Sequence, residues 1–318
     1  MGRAAAGSYN RDMTTNEKTW VIVLAGGEGA RMRPVVERWL GKHRPKQYCA
    51  FTGGRTMLEH TMERALALAP AERIVTVVGP GHAAHLKDHP ALPGRVIEQP
   101  SNRETAPGLY LPLAHILRQD PEATVIVLPS DHFIRPRERF VLEAGRALAL
   151  AERHPSKIAM LAVLPSRPET DYGWIEPAEP VAGEDGAWTV TRFHEKPDPY
   201  TAERLARAGF LWNTMIFAAR ARTLWSLGAR LRPDMMGLMD GVKAALGTGR
   251  EFWALEEAYV RLPSVNFSRD ILERDPDSVL MVPLMGVSWC DWGRPERVSE
   301  TLRALGRPNP FAGEPVPA

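Results

Sequence analysis

The sequence predicts an α/β fold, a mixed and mostly parallel sheet with helices packed on both of its faces. Three observations predict it. From Trp20 onward, short β-branched and aliphatic runs alternate with longer stretches of helical periodicity. Two of those runs, VIVLA and TVIVLP, are almost wholly apolar, as strands covered on both faces have to be. A chain of 318 residues with 44% hydrophobic and 25% charged content is also long enough to bury a large core.

In chain order, residues 1–18 mix small and polar residues with no period and read as a disordered tail. Strands are expected at 20–24, 74–78, 95–98, 124–128 and 158–163, where β-branched residues concentrate. Apolar residues at helical spacing predict helices at 57–68, 106–119 and 138–153. Beyond residue 170 the texture changes to short segments such as YGWIEP, WTVTRFHEKP and LWNTMIFAA, which predict a second set of strands laid against the first. A last helix at 295–305 precedes a Pro-rich tail, 307–318. No linker separates the halves, so one unit over 19–306 is expected, with one half at about 19–165 and the other at about 166–306.

Composition narrows the function. With 40 basic and 38 acidic residues the net charge is +2, and no run of Lys and Arg tracks a phosphate backbone, so nucleic acid is not expected as a partner. No apolar stretch nears the roughly 18 residues of a membrane span. Two cysteines, Cys49 and Cys290, cannot build a disulfide framework or a four-thiolate metal site. The first 18 residues carry no signal-peptide core, and the cytoplasm is the expected compartment.

Chemistry concentrates in a few places. AGGEGARMRP follows the first strand, where Gly26, Gly27 and Gly29 let the backbone turn sharply and present N–H groups to anions. It is neither a dinucleotide fingerprint, whose third glycine would fall at Met32, nor a P-loop. Arg31 adds a planar cation suited to polyphosphate, although a tight turn with a surface arginine fits the same letters. HRPKQY then supplies Arg44, Lys46 and Gln47, and Lys46 gains weight from its pairing with the glycine loop. After TVIVLP come Ser130, Asp131 and His132, beyond the carboxyl end of a strand, where ligands of open α/β sheets bind. Asp131, and Asp291 in SWCDWG, could hold one Mg²⁺ with substrate phosphates completing its octahedron. Asp131 would equally serve as a turn former.

Glu195 in EKP, Asn213 in LWNTMIF and Gly173 in YGWIEP offer hydroxyl binders and a close backbone approach, with Trp174 or Trp212 as an aromatic wall or as core. His82, His85 and His89 lack a fourth ligand for zinc, and Pro90 breaks any helix presenting them, so they read as a solvated helix end. No G-x-S-x-G elbow or thiol-enzyme signature occurs.

In this order GGEGARMRP…RPKQY, EQPSNRETAPG, LPSDHF, DYGWIEP, FHEKPD, FLWNTMIF and WCDWG resemble the sugar-1-phosphate nucleotidyltransferases, most of all the bacterial mannose-1-phosphate guanylyltransferases. The resemblance runs from about Trp20 to Val298. It implies a Rossmann-like nucleotidyltransferase fold and the reaction of an NTP, GTP foremost, with a hexose 1-phosphate, mannose 1-phosphate foremost, to give NDP-sugar and pyrophosphate. It further implies Arg31 and Lys46 at the reacting phosphates, and Gly26, Gly27, Gly29, Arg103 and Thr105 at the nucleotide. Gly173, Glu195 and Asn213 would hold the hexose, and Asp131 and Asp291 the Mg²⁺. The implied partners are these small molecules, with self-association left open. Three positions depart from the family pattern: Glu104 stands for an Asn, Met215 for a Gly, and Asn266 for an Asp. A uridylyl- or thymidylyltransferase, or a non-catalytic NDP-sugar-binding homologue, is the alternative. No β-helix or cupin-like extension follows the matching region, so none is expected to assemble or regulate the protein.

Overall fold

The computed structural model describes residues 18–87 and 92–311. Residues 1–17 of the expected tail at 1–18, the end of the Pro-rich tail from 312, and His89 with Pro90 lie outside the described residues. The first half alternates strand and helix. β1 (Thr19–Ala25) leads to α1 (Arg33–Leu40) and α2 (Met57–Leu66), then β2 (Ile74–Val78), the short α3 (Ala83–Leu86) and β3 (Arg95–Glu98). Next come α4 (Thr105–Gln119), β4 (Thr124–Pro129), β5 (Phe133–Arg135), α5 (Arg137–Arg153) and β6 (Ile158–Val163). The second half adds β7 (Gly173–Pro180), β8 (Trp188–Glu195), α6 (Pro199–Arg207) and β9 (Leu211–Arg220). Helices α7 (Ala221–Leu231), α8 (Pro233–Ala245) and α9 (Glu251–Arg261) follow, then β10 (Val279–Pro283), β11 (Ser288–Cys290) and α10 (Pro295–Ala304).

Nine strands form one sheet in the order β3-β2-β1-β4-β9-β6-β10-β8-β7, in which only β8 and β9 run against the other seven. The second half therefore does not lay a separate set of strands against the first. β9 inserts between β4 and β6, so the same sheet continues across both halves. Every residue of β2, β4 and β6 is buried, which is why these segments are apolar throughout. One core lies under α4, α7 and α8, and a second lies on the opposite face under α2 and α5. A third, smaller cluster joins α1, Phe51, Trp292, α10 and Phe311. Phe311, within the segment read as a tail, is buried against Trp39 and Phe51.

Local chemistry sets the element ends. Thr56 and Glu59 form a reciprocal capping box at the start of α2. That helix stops two residues before its predicted end, because the Leu68 and Ala69 amides both turn back onto the Ala65 carbonyl and Pro70 follows. No helix among the described residues is long and apolar enough to cross a membrane.

Candidate active site

The site forms where the carboxyl ends of β1 and β4 meet a small second sheet. β5 pairs antiparallel with β11, setting Phe133 opposite Cys290. That pairing aligns the residues just before β5 with those just after β11, and so brings Asp131 and Asp291 to one place. Beneath them Phe133 stacks on Trp292, with centroids 5.0 Å apart.

Lys46 joins the two carboxylate segments. Its Nζ lies 2.9 Å from Asp131 Oδ2 and donates to the backbone carbonyl of Asp291, and only 5% of its side chain is exposed. A buried ammonium needs such partners. The glycine loop is tied to the same segment: Gln47 Nε2 donates to the Ala25 and Gly27 carbonyls at 2.9 and 2.8 Å. Gly29 has φ +62 and packs against the Lys46 backbone so tightly that an added Cβ would stand 3.1 Å from its nitrogen. A Cβ on Gly26 would strike Gln99 Nε2 at 2.6 Å, whereas Gly27 faces open space.

Asp291 is a hub. Its Oδ1 accepts from the Tyr172 hydroxyl, the Gly293 amide and Arg297 Nη1, all at 2.8 Å. Arg297, 3% exposed, also reaches Asp171 and Glu169 and lies over the Tyr172 ring. Arg31 pairs with Asp171 at 2.8 Å and stands 3.9 Å from Asp291 Oδ2. Burial alone would raise the Asp291 carboxyl, but Lys46 and Arg297 outweigh it and hold it well below the usual range. Asp131 is depressed in the same way, burial being overcome by Lys46 and His132. His132 is pushed down to about 4 by burial, and its Nδ1 accepts a hydrogen bond from Trp289 Nε1 at 3.2 Å.

These carboxylates suit a hard cation. Each has one oxygen held by protein donors, while Asp131 Oδ1 stands 3.9 Å from the His132 imidazole and Asp291 Oδ2 stands 3.9 Å from Arg31. Both stay ionised at neutral pH. Among the described residues no group of three or more His, Cys, Asp and Glu side chains forms a metal cage. Two carboxylates therefore match Mg²⁺, which takes most of its ligands from water and substrate oxygens.

Beside Asp291 opens a cavity of about 120 Å³ lined by Gly173, Glu195, Asn213, Tyr172 and Trp289. The three residues read as a hexose set are in contact here: a Cβ on Gly173 would lie 2.6 Å from Glu195 Oε2 and 3.2 Å from the Asn213 side chain. Burial raises the Glu195 carboxyl, helped by Glu273 and opposed by Lys196. The aromatic wall is Tyr172 and Trp289. Trp174 is fully buried, and Trp212 packs edge-on behind Tyr172, so both belong to the core.

Arg103 and Thr105 do not point at the glycine loop. Arg103 Nε donates to the Tyr259 carbonyl, and Thr105 Oγ1 accepts from the Phe267 amide. They brace the start of α4 against the end of α9 and the segment that follows it. His82 is not a solvated helix end either. It is buried, 3.1 Å from Glu28 and 3.3 Å from the Tyr48 hydroxyl, because the loop after β2 folds under the glycine loop. Sequence reasoning missed Asp171, Tyr172, Gln99 and Arg297. The first two stand beside Gly173 in DYGWIEP and so within reach of that motif, whereas nothing local marks an arginine in α10.

Four non-glycine residues among those described have positive φ: Glu104, Lys196, Met215 and Trp292. Glu104, Lys196 and Trp292 each adjoin a residue read as functional, and Met215 lies two residues from Asn213, where such strain concentrates. Met215, at φ +56, lies with Thr214 in the bulge of β9 beside Asn213, which lines the cavity. A glycine there in family members would adopt this conformation freely.

The Nucleotidyl transferase family model matches residues 20–305. Mannose-1-phosphate guanylyltransferase of Escherichia coli K12 is 32% identical over 286 residues, covering 87% of this chain and 58% of that protein. Xanthan biosynthesis protein XanB of Xanthomonas campestris pv. campestris strain B100 is 30% identical, covering 93% and 62%. The chain thus spans less than two thirds of these relatives. A solved structure from Thermus thermophilus, titled mannose-1-phosphate geranyltransferase, superposes with a TM-score of 0.77 at 30% identity, covering 89% of this chain and 79% of that one. UDP-glucose pyrophosphorylase bound to UDP-glucose shares the fold at 12% identity and a TM-score of 0.57, covering 92% and 99%. With the family model spanning nearly all of the folded region, the chain belongs to the nucleotidyl transferase family.

Proposed function

We propose that this protein transfers a guanylyl group from GTP to mannose 1-phosphate, giving GDP-mannose and pyrophosphate. One observation carries the reading. The glycine loop, Lys46 between Asp131 and Asp291, and the Gly173–Glu195–Asn213 cavity open onto one place. The guanylyl and mannosyl identities are supported by the relatives' names.

The glycine loop presents its backbone N–H groups to the nucleotide, with Gly27 on the open side. Glu195 and Asn213 hold the hexose hydroxyls and aim its phosphate at the carboxylate mouth. The phosphate oxygen then attacks the α-phosphorus in line as pyrophosphate leaves. No proton has to be abstracted from a phosphate oxygen already ionised, so positioning and charge govern the rate. Lys46 and Arg31 offset the repulsion of two anions. Asp131 and Asp291 are the residues that would hold Mg²⁺, which when bound neutralises phosphate charge. Gln47 and Arg297 keep loop and carboxylates in register. The binding half for the nucleotide is about 19–165 and for the sugar about 166–306.

Incubation of the protein with Mg²⁺, each NTP in turn and each hexose 1-phosphate, with pyrophosphate release measured, tests this directly. GTP with mannose 1-phosphate should give the highest kcat/KM. Preference for UTP or dTTP would replace the base assignment, and no release with any pair would sink the catalytic reading.

A further inference from the structure

On the far side of the Asp131–His132 segment lies a second cavity of about 380 Å³, within the size range of ligand pockets and larger than the one beside Asp291. Four arginines, Arg55, Arg64, Arg135 and Arg137, and two glutamates, Glu63 and Glu138, line it, leaving an excess of two positive charges. Arg55 is bound to Glu63 at 2.7 Å, and Arg137 to Glu138 at 3.2 Å. Among the described residues, no carboxylate lies within ion-pair distance of Arg64 or Arg135.

Arg64 is the unusual member. Its residue is 4% exposed, Nη2 donates to Thr61 Oγ1 at 2.6 Å and to the His132 carbonyl at 3.3 Å, and Nε makes no hydrogen bond. A guanidinium buried with a donor unsatisfied costs free energy unless an anion completes it. Phe51 and Trp292 add an apolar wall to the same cavity. The proposed reaction uses none of these residues.

We propose that this cavity is a second anion site, built for a phosphoryl group held by Arg64 and Arg135, distinct from the site beside Asp291. A dianionic phosphate matches the two surplus charges, and the arginine fork suits its oxygens. Occupancy would bear on the carbonyl of His132, the residue next to Asp131.

Calorimetric titration of the full chain with inorganic phosphate, against chloride at matched ionic strength, tests this without any activity measurement. Because the catalytic mouth is also basic, Lys46→Ala serves as the control for binding there. The expected result is a phosphate affinity kept in Lys46→Ala and weakened about 10-fold or more in Arg135→Gln and in Arg64→Met. Arg135→Gln carries the test if Arg64→Met fails to fold. Phosphate binding that vanishes in Lys46→Ala and persists in Arg135→Gln, or no binding to the wild-type chain, would overturn the proposal while leaving the reading of the catalytic site intact.

Discussion

Lys46 Nζ lies 2.9 Å from Asp131 Oδ2 and at the same time donates to the Asp291 carbonyl, so one ammonium holds both carboxylate segments. The lysine is therefore an architectural cation as well as the residue proposed to meet a phosphate. Its buried setting changes what its removal should do, compared with a lysine judged only by its neighbours Pro45 and Gln47.

Lys46→Met should lower the rate of pyrophosphate release by about 10²- to 10³-fold, the usual cost of removing one preorganised donor at developing charge. It should also lower Tm at neutral pH, since Asp131 then loses its ammonium partner while still facing the Asp291 carboxylate. Steady-state kinetics with differential scanning calorimetry checks both. Wild-type turnover would remove Lys46 from the mechanism.

Asp131→Asn and Asp291→Asn should each abolish most activity, and the double variant should be little worse than either, as expected of groups acting on one ion. Their stabilities should differ. Asp291→Asn disturbs Tyr172, Gly293 and Arg297 and should lower Tm more than Asp131→Asn. Rates across a Mg²⁺ titration distinguish a shared ion from two independent roles, which would give multiplicative losses and an unchanged Mg²⁺ requirement.

Glu195→Gln should raise KM for the sugar phosphate and leave NTP binding nearly unchanged. It should also alter stability against pH. Burial raises the folded carboxyl above its unfolded value, so its contribution is full below the ordinary carboxylate range and is lost as pH rises through the raised value. The Tm of the variant relative to wild type should therefore climb as pH rises above the ordinary carboxylate range. A flat difference would mean that Glu195 carries no burial penalty.

Arg297→Met should cost about 3–5 kcal/mol at neutral pH, because it removes the buried guanidinium shared by Asp171, Glu169 and Asp291. The sign with pH is opposite to that of Glu195. Asp291 is depressed in the fold, so its stabilisation is present above the ordinary carboxylate range and is lost as pH falls through the folded value. Denaturant unfolding at pH 7 and in acid should show the wild-type advantage shrinking. Equal losses at both pH values would assign Arg297 a packing role only.

The sequence by itself determined the core strands, the glycine loop, the cations and the motifs that carry Gly173, Glu195 and Asn213. These are local properties: apolar runs predict strands, and short motifs confine backbone and charge within a few residues. The core strands came out within a residue or so of their predicted ends. Tertiary structure alone decided which segments meet. No local period reveals that β9 enters between β4 and β6, or that β5 pairs with β11 and so carries Asp131 to Asp291. Nor does it show Arg297 crossing from α10 to three carboxylates, Tyr172 and Trp289 taking the wall from Trp174 and Trp212, or His82 turning inward. Such contacts arise from packing between segments distant in the chain, where burial, and not the neighbouring letters, sets what each polar group must pair with.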